Sequence, residues 1–236
     1  MRRLLYKIAI FAFCISLTQI SYADEIQSFS EAKRQIPKIF KQLSKPTTLY
    51  CGCNINYQGR KTIVDLNSCG YKVRKNAQRA NRVEAEHIMS AHQFGKDLPC
   101  WKAAGRKQCS KHSDIFKIRE GDLHNLYPAV GEVNGDRSNF KFAQNVRGPR
   151  NYGKCDMIID RKRQIVTPPE RSRGIVARAY LYMSQRYNIK LSASEISLFN
   201  QWNKNYPPTS NECKRNEIIA KIQGNDNPFV TEKCKR

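Results

Sequence analysis

Two runs of the chain hold most of the side chains able to do chemistry. Val83 to Gly95 carries Glu84, Glu86, His87, Ser90 and His92, and Asp122 to Arg137 carries Asp122, His124, Asn125, Glu132, Asn134 and Asp136. An imidazole with its ordinary pKa near 6.5 is largely neutral and still proton-accepting at neutral pH, so His87 suits deprotonation of a water. A carboxylate from Glu86 and an amide oxygen from Asn134 suit Mg²⁺, which takes few protein ligands and keeps several waters. Arg106 is permanently charged and can fork onto phosphate oxygens, which a lysine cannot do in the same way. Together these are the parts needed to hydrolyse a phosphodiester. Each also has a plainer reading. An adjacent Glu-His pair can be a surface salt bridge, His92 and His124 read as hydrogen-bonding scaffold groups, and His112, between Lys111 and Ser113, as exposed.

Position decides between these readings. In an extended strand Glu86 and His87 point to opposite faces, so both reach one site only where the strand ends or bends. Ser90 and Gly95 downstream permit such a bend. Asp114 is placed to cap a short helix with Ile115, Phe116 and Ile118, which would carry Glu120 and Asp122 toward the centre. Pro128 suits the first turn of a further helix bearing Asn134. The basic stretch Cys100 to Cys109 reads as a loop that a disulfide could pin. Lys72 to Arg82 reads as a solvated, phosphate-facing edge.

The flanking elements follow from capping and periodicity. Ser28-Phe29-Ser30-Glu31 has the spacing of a capping box, followed at helical intervals by Ala32, Ile36, Ile39, Phe40 and Leu43. Thr47–Tyr50 and Asn54–Tyr57 read as short strands, the second closed by a turn at Gly59. Cys155–Asp160 and Gln164–Thr167 read as a hairpin about Arg161-Lys162-Arg163. A long helix opens at Pro168-Pro169-Glu170 with Ile175, Val176, Ala179, Tyr180, Met183 and Tyr187 on its core face. Ser192-Ala193-Ser194-Glu195 caps a helix carrying Ile196, Phe199, Trp202 and Tyr206, and a last helix spans roughly Glu212 to Gln223. No repeat or linker interrupts the pattern, so the expectation is one mixed, helix-rich α+β domain.

The first 23 residues combine Arg2, Arg3 and Lys7 with an apolar run from Ile8 to Leu17 and a small-residue end, Ser21-Tyr22-Ala23. That is the pattern of a cleavable secretory signal, too short to span a bilayer comfortably. Residues 24–236 are expected to form the folded domain, periplasmic or secreted, without stable membrane insertion. They retain Cys51, Cys53, Cys69, Cys100, Cys109, Cys155, Cys213 and Cys234. An even count behind a signal argues for four disulfides. Loop closure favours Cys100 with Cys109 and Cys213 with Cys234 and leaves the other pairings open. A zinc site at Cys51-Gly52-Cys53 is the alternative, but its gap is tighter than the usual spacing of roughly two to four, and no matching pair follows.

The whole chain carries 42 basic and 20 acidic residues, net +22; removing the three basic and no acidic residues of the signal leaves +19. Such a balance attracts polyanions, nucleic acid first. A non-catalytic cationic binder would use the same charge, and only the central runs argue for turnover.

The wording of those runs closely resembles the bacterial endonuclease I family. The likeness rests on Glu84-Ala85-Glu86-His87, Gln93-Phe94-Gly95, Cys100-Trp101, Gly105-Arg106-Lys107-Gln108-Cys109, Asp122-Leu123-His124-Asn125-Leu126 and Gly131-Glu132-Val133-Asn134-Gly135-Asp136-Arg137. It continues through Pro168-Pro169, Trp202-Asn203-Lys204 and Ala220-Lys221-Ile222-Gln223-Gly224-Asn225 to Asn227-Pro228. Ala85 and Ser90 stand where the family often has tryptophan and proline. The resemblance implies a ββα-metal (His-Me finger) core with disulfides that cleaves DNA, and often RNA, with little sequence preference; the partners expected are double- and single-stranded DNA and RNA, and the protein is expected to be a monomer. The resemblance also implies His87 as general base, Glu86 and Asn134 as ligands of one Mg²⁺ (Mn²⁺ or Ca²⁺ as substitutes), Arg106 on the phosphate, and Glu120 by the leaving group.

Overall fold

A computed structural model describes residues 28–59 and 61–235; the expected signal peptide lies outside the described residues. The centre of the fold is an antiparallel pair, β3 (Val83–His87) with β4 (Leu126–Val130), in register Ala85 to Pro128 and His87 to Leu126. Pro128 therefore lies in a strand rather than opening a helix. It has no N–H to give the ladder, and its carbonyl points outward to accept from the Leu49 amide at 2.8 Å. Every residue of β4 is buried. The helix that follows, α6 (Gly131–Arg137), begins directly after β4 and brings Asn134 back toward β3.

Around this unit the local signals are realised. Ser28 caps α1 (Phe29–Phe40), whose Ala32, Ile36, Ile39 and Phe40 are buried. The hairpin β1 (Asn54–Gln58) with β2 (Lys61–Asp65) is antiparallel. Its second strand has no counterpart in the expected elements. The expected strand Thr47–Tyr50 is a turn instead, joined to β1 at the isolated Thr47–Asn54 bridge and to β4 by the Leu49 amide. A short helix α2 (Ala77–Ala80) precedes β3, and α3 (Ala91–Gly95) follows it, with Ser90 and Gln93 forming a capping box. Ser90 thus makes the bend that ends β3.

The stretch expected as a pinned loop is α4 (Pro99–His112), two helical segments meeting at Ala104 and Gly105. Gly105 has φ 67° and ψ −159° with open space around its α-carbon, so glycine is required there by backbone conformation and not by crowding. Ser113, rather than Asp114, caps α5 (Asp114–Gly121) through the Phe116 amide.

The remaining sheet orders β5 (Lys141–Phe142), β7 (Ile165–Thr167) and β6 (Ile158–Asp160), with β5 parallel and β6 antiparallel to β7. Beyond it, α7 (Glu170–Tyr187) packs on α8 (Ala193–Asn205), and α9 (Ser210–Gln223) ends at Gly224. A last helix, α10 (Pro228–Cys234), was not legible beforehand. One hydrophobic core runs from α1 to α9, with Trp202 and Phe199 inside it. The result is a single mixed α+β domain.

Four disulfides brace it: Cys51–Cys155, Cys53–Cys69, Cys100–Cys109 and Cys213–Cys234. Both favoured pairs form, and Cys51 and Cys53 bond to different partners instead of holding zinc. Among the described residues no helix is long and apolar enough to cross a membrane.

Candidate active site

A cleft of about 570 Å³ opens along β3 and α6, lined among others by Phe29, Glu84, Glu86, His87, Arg106 and Asn134. His87 closes β3, where the strand gives way to Ile88 and Met89. Asn125 holds that exit as a strand would: its carbonyl accepts from the Ile88 amide, and its side chain bonds both the N–H and the carbonyl of Met89. The Glu86 and His87 side chains both reach the cleft there.

The His87 ring is pinned. Nε2 lies 2.8 Å from the carbonyl oxygen of Glu120. A carbonyl only accepts, so Nε2 must donate, which leaves Nδ1 as the bare, proton-accepting nitrogen. Phe29 packs against one side of the ring with centroids 4.6 Å apart, and Phe94 lies 5.7 Å away. Burial pushes the His87 pKa down to about 3; the Glu120 carbonyl opposes that shift, and the nearby Arg106, Arg137 and Lys33 cations reinforce it. The ring is neutral at physiological pH.

Glu86 is almost fully buried, and burial raises its pKa against the opposing pull of Arg137. Its Oε1 accepts from Tyr50 Oη at 2.5 Å and from Arg137 Nη1 at 2.9 Å. Arg137, at the end of α6, also donates to the carbonyls of His87 (2.9 Å) and Ile88 (2.6 Å), so one guanidinium ties α6 to the end of β3. Both bonds to Glu86 fall on Oε1, leaving Oε2 for another partner. Asn134 donates from Nδ2 to Glu84 Oε2 at 2.8 Å, which leaves its Oδ1. A carboxylate oxygen and an amide oxygen left unbonded on two residues that line one cleft, with no thiolate among its lining, fit a magnesium-like ion that completes its shell with water. Among the described residues no cage of three or more His, Cys, Asp or Glu forms, and an ion of this kind does not need one.

Arg106 follows the α4 kink and lines the cleft half-exposed. Its Nε donates to Glu120 Oε1 at 2.7 Å, and its guanidinium lies 5.6 Å over the Phe29 ring. That leaves the terminal nitrogens for an anion. Glu120 itself is buried and is not part of the cleft lining: its carboxylate holds Arg106 and accepts from Ser110, while its carbonyl holds His87.

The other candidates separate. His92 is exposed on the cleft wall, edge-on to Trp101. His124 is buried, with Nε2 at 2.9 Å from the Asn225 carbonyl. Asp122 is a buried acceptor for Tyr182, Tyr187 and the His124 amide, away from the cleft. Within the basic edge, Arg74 pairs with Asp136, and Arg79 pairs with Glu84 while staying partly exposed on the cleft wall. Sequence reasoning passed over Tyr50, Arg137 and Phe29, and it read Arg79 only as part of a phosphate-facing edge. The alternation of Glu84 and Glu86 on one face of β3 was the visible hint that Glu84 also belongs to the site.

Two antiparallel strands, a histidine at the end of the first and a helix directly after the second define the ββα core of the His-Me finger nucleases. Within that class the chain belongs to the endonuclease I family, whose sequence model matches residues 28–234. It is 48% identical to an extracellular deoxyribonuclease of Aeromonas hydrophila over 94% of this chain and 97% of that one. It is likewise 48% identical to a periplasmic deoxyribonuclease of the same species, over 90% and 89% of the two chains. An endonuclease-1 of Buchnera aphidicola subsp. Baizongia pistaciae is 47% identical over 98% and 94%. The protein is an endonuclease.

Proposed function

We propose that the protein is a metal-dependent, sequence-tolerant endonuclease that hydrolyses DNA, double- or single-stranded, and RNA. The observation that carries this reading is the His87 tautomer: a neutral ring whose only free nitrogen is Nδ1, in a cleft shared with Glu86, Arg106 and Asn134. Nδ1 takes a proton from water as the water oxygen bonds to phosphorus; the bond to the leaving oxygen breaks, and that oxygen takes a proton from solvent. Positioned base catalysis of this kind contributes roughly 10²- to 10⁴-fold. Arg106 balances charge on the non-bridging oxygens through its terminal nitrogens. Glu86 and Asn134 would hold one Mg²⁺, which when bound neutralises phosphate charge and polarises the leaving oxygen; Mn²⁺ and Ca²⁺ share its preference for oxygen ligands. Glu120, outside the cleft lining, positions Arg106 through its carboxylate and His87 through its carbonyl.

With net charge +19 once residues 1–23 are removed, phosphate contacts supply affinity and little of it depends on base identity. The protein acts outside the cytoplasm, as a monomer, after removal of residues 1–23; amino-terminal sequencing of the exported protein should begin at Asp24.

Digesting supercoiled plasmid with the parent and His87→Ala, each with and without EDTA, tests the reading. Cleavage should require both His87 and a divalent ion, while a gel shift shows DNA still bound by the variant. A His87→Ala protein that cuts at the parent rate would make the base assignment wrong, and cutting in EDTA would make the metal assignment wrong.

A further inference from the structure

We infer that Glu84 and Arg79 form a positioning pair that sets which end of the Asn134 amide faces the cleft, and so the site's grip on a divalent ion. The inference rests on the reading of Asn134 as a metal ligand.

Glu84 and Glu86 are two residues apart on β3, so their side chains leave the same face. Glu86 turns to Tyr50 and Arg137; Glu84 turns to Arg79 and Asn134. Arg79, from α2, forks onto Glu84 with Nε to Oε1 at 2.9 Å and Nη2 to Oε2 at 2.8 Å. Such a two-point contact fixes the plane of the carboxylate as well as its place. Oε2 then accepts from Asn134 Nδ2 at 2.8 Å. A carboxylate oxygen cannot donate, so a carboxamide held against it must present nitrogen to Glu84 and oxygen to the opposite side. An unheld amide would sample both orientations, and the flipped one offers an ion two N–H groups.

The backbone beside the pair is built to admit it. A Cβ on Gly135 would stand 2.1 Å from Arg79 Nη1, and one on Gly131 would stand 2.6 Å from the Arg79 carbonyl and 2.8 Å from Glu84 Oε1. Both glycines lie on α6, the helix that carries Asn134. Their missing side chains let the guanidinium and the carboxylate lie directly against that helix. Outer partners that orient a ligand typically change metal affinity about 10- to 100-fold when removed.

Two substitutions separate orientation from charge. Glu84→Gln and Glu84→Met both remove the charge and keep the length of the side chain, but only Gln retains an oxygen that Asn134 Nδ2 can donate to. Mn²⁺ binding, read directly from the electron paramagnetic resonance of the free ion, should weaken about threefold or less in Glu84→Gln and about tenfold or more in Glu84→Met. The metal concentration that half-saturates cleavage should move with it. Equal affinities in the Gln and Met variants would overturn the positioning role. Asn134→Ala is measured alongside: if it weakens Mn²⁺ binding while Gln and Met agree, only the pair's role fails. If it leaves Mn²⁺ binding unchanged, Asn134 is not a ligand and both readings fall. Should Glu84→Met not fold, the Asn134 side-chain amide resonance, assigned by its absence in Asn134→Ala, decides between parent and Glu84→Gln. It should shift when its acceptor changes from carboxylate to amide, and a resonance that does not move overturns the inference.

Discussion

Arg137 takes no part in the proposed reaction, yet it determines where the Glu86 carboxylate stands. Its side chain is 1% exposed, it sits 2.9 Å from Glu86 Oε1, and its Nε finds no hydrogen-bond partner among the described residues. A buried carboxylate left without its cation is strongly destabilising, by about 3–5 kcal/mol. Arg137→Met should therefore lower the stability of the metal-free protein by that order in urea unfolding at neutral pH. A loss under about 1 kcal/mol would mean that Tyr50 alone suffices to keep Glu86 in place. This residue shows where sequence reading stops. His87, Glu86, Asn134 and Arg106 could be nominated because their types match a reaction. Arg137 and Tyr50 could not, because their partner is 51 and 36 positions away and their types alone say only that they are basic or aromatic.

The kink in α4 sets the place of Arg106, and Gly105 makes the kink. Its backbone angles belong to a region that only glycine occupies readily, so Gly105→Ala should cost about 1–3 kcal/mol. Because the next residue is Arg106, the cleavage rate should fall further than the loss of folded protein explains. Thermal melts paired with single-turnover cleavage check this, and a fully active, equally stable alanine variant would show the kink to be dispensable. Elements whose signals are local were legible: the caps at Ser28 and Ser192, the core stripe of α7, the stop at Gly224. Elements set by distant pairing were not. Pro128 satisfies the local rule for a helix start, but its register against Ala85 places it in a strand. Residues 100–109 read as a loop because a glycine among basic residues does not announce a short helical segment on either side of it.

Across the whole molecule, burial of neutral imidazole makes stability depend on pH. The His124 pKa is pushed down to about 4, chiefly by burial, while in the unfolded chain it takes its ordinary value near 6.5. Its folded form thus binds fewer protons, so the contribution is fully present above about pH 6.5 and is lost as pH falls toward 4. Between pH 7 and 4.5 that loss is on the order of 2–3 kcal/mol. His124→Gln keeps a donor for the Asn225 carbonyl without a titrating ring. Its stability should fall less steeply over that interval in urea titrations, and a slope equal to the parent's would acquit His124. The helix that begins the described chain has a consequence for the order of assembly. Phe29, which walls both His87 and Arg106, stands on α1, and the far end of α1 rests against α9: Arg215 lies over the Phe40 ring, and Asn211 bonds Ser44 and the Lys45 carbonyl. That contact closes a loop of nearly the whole domain, the slowest kind to form. The wall beside His87 is thereby tied to the carboxy-terminal quarter of the chain as well as to α5, although no residue of that quarter lines the cleft.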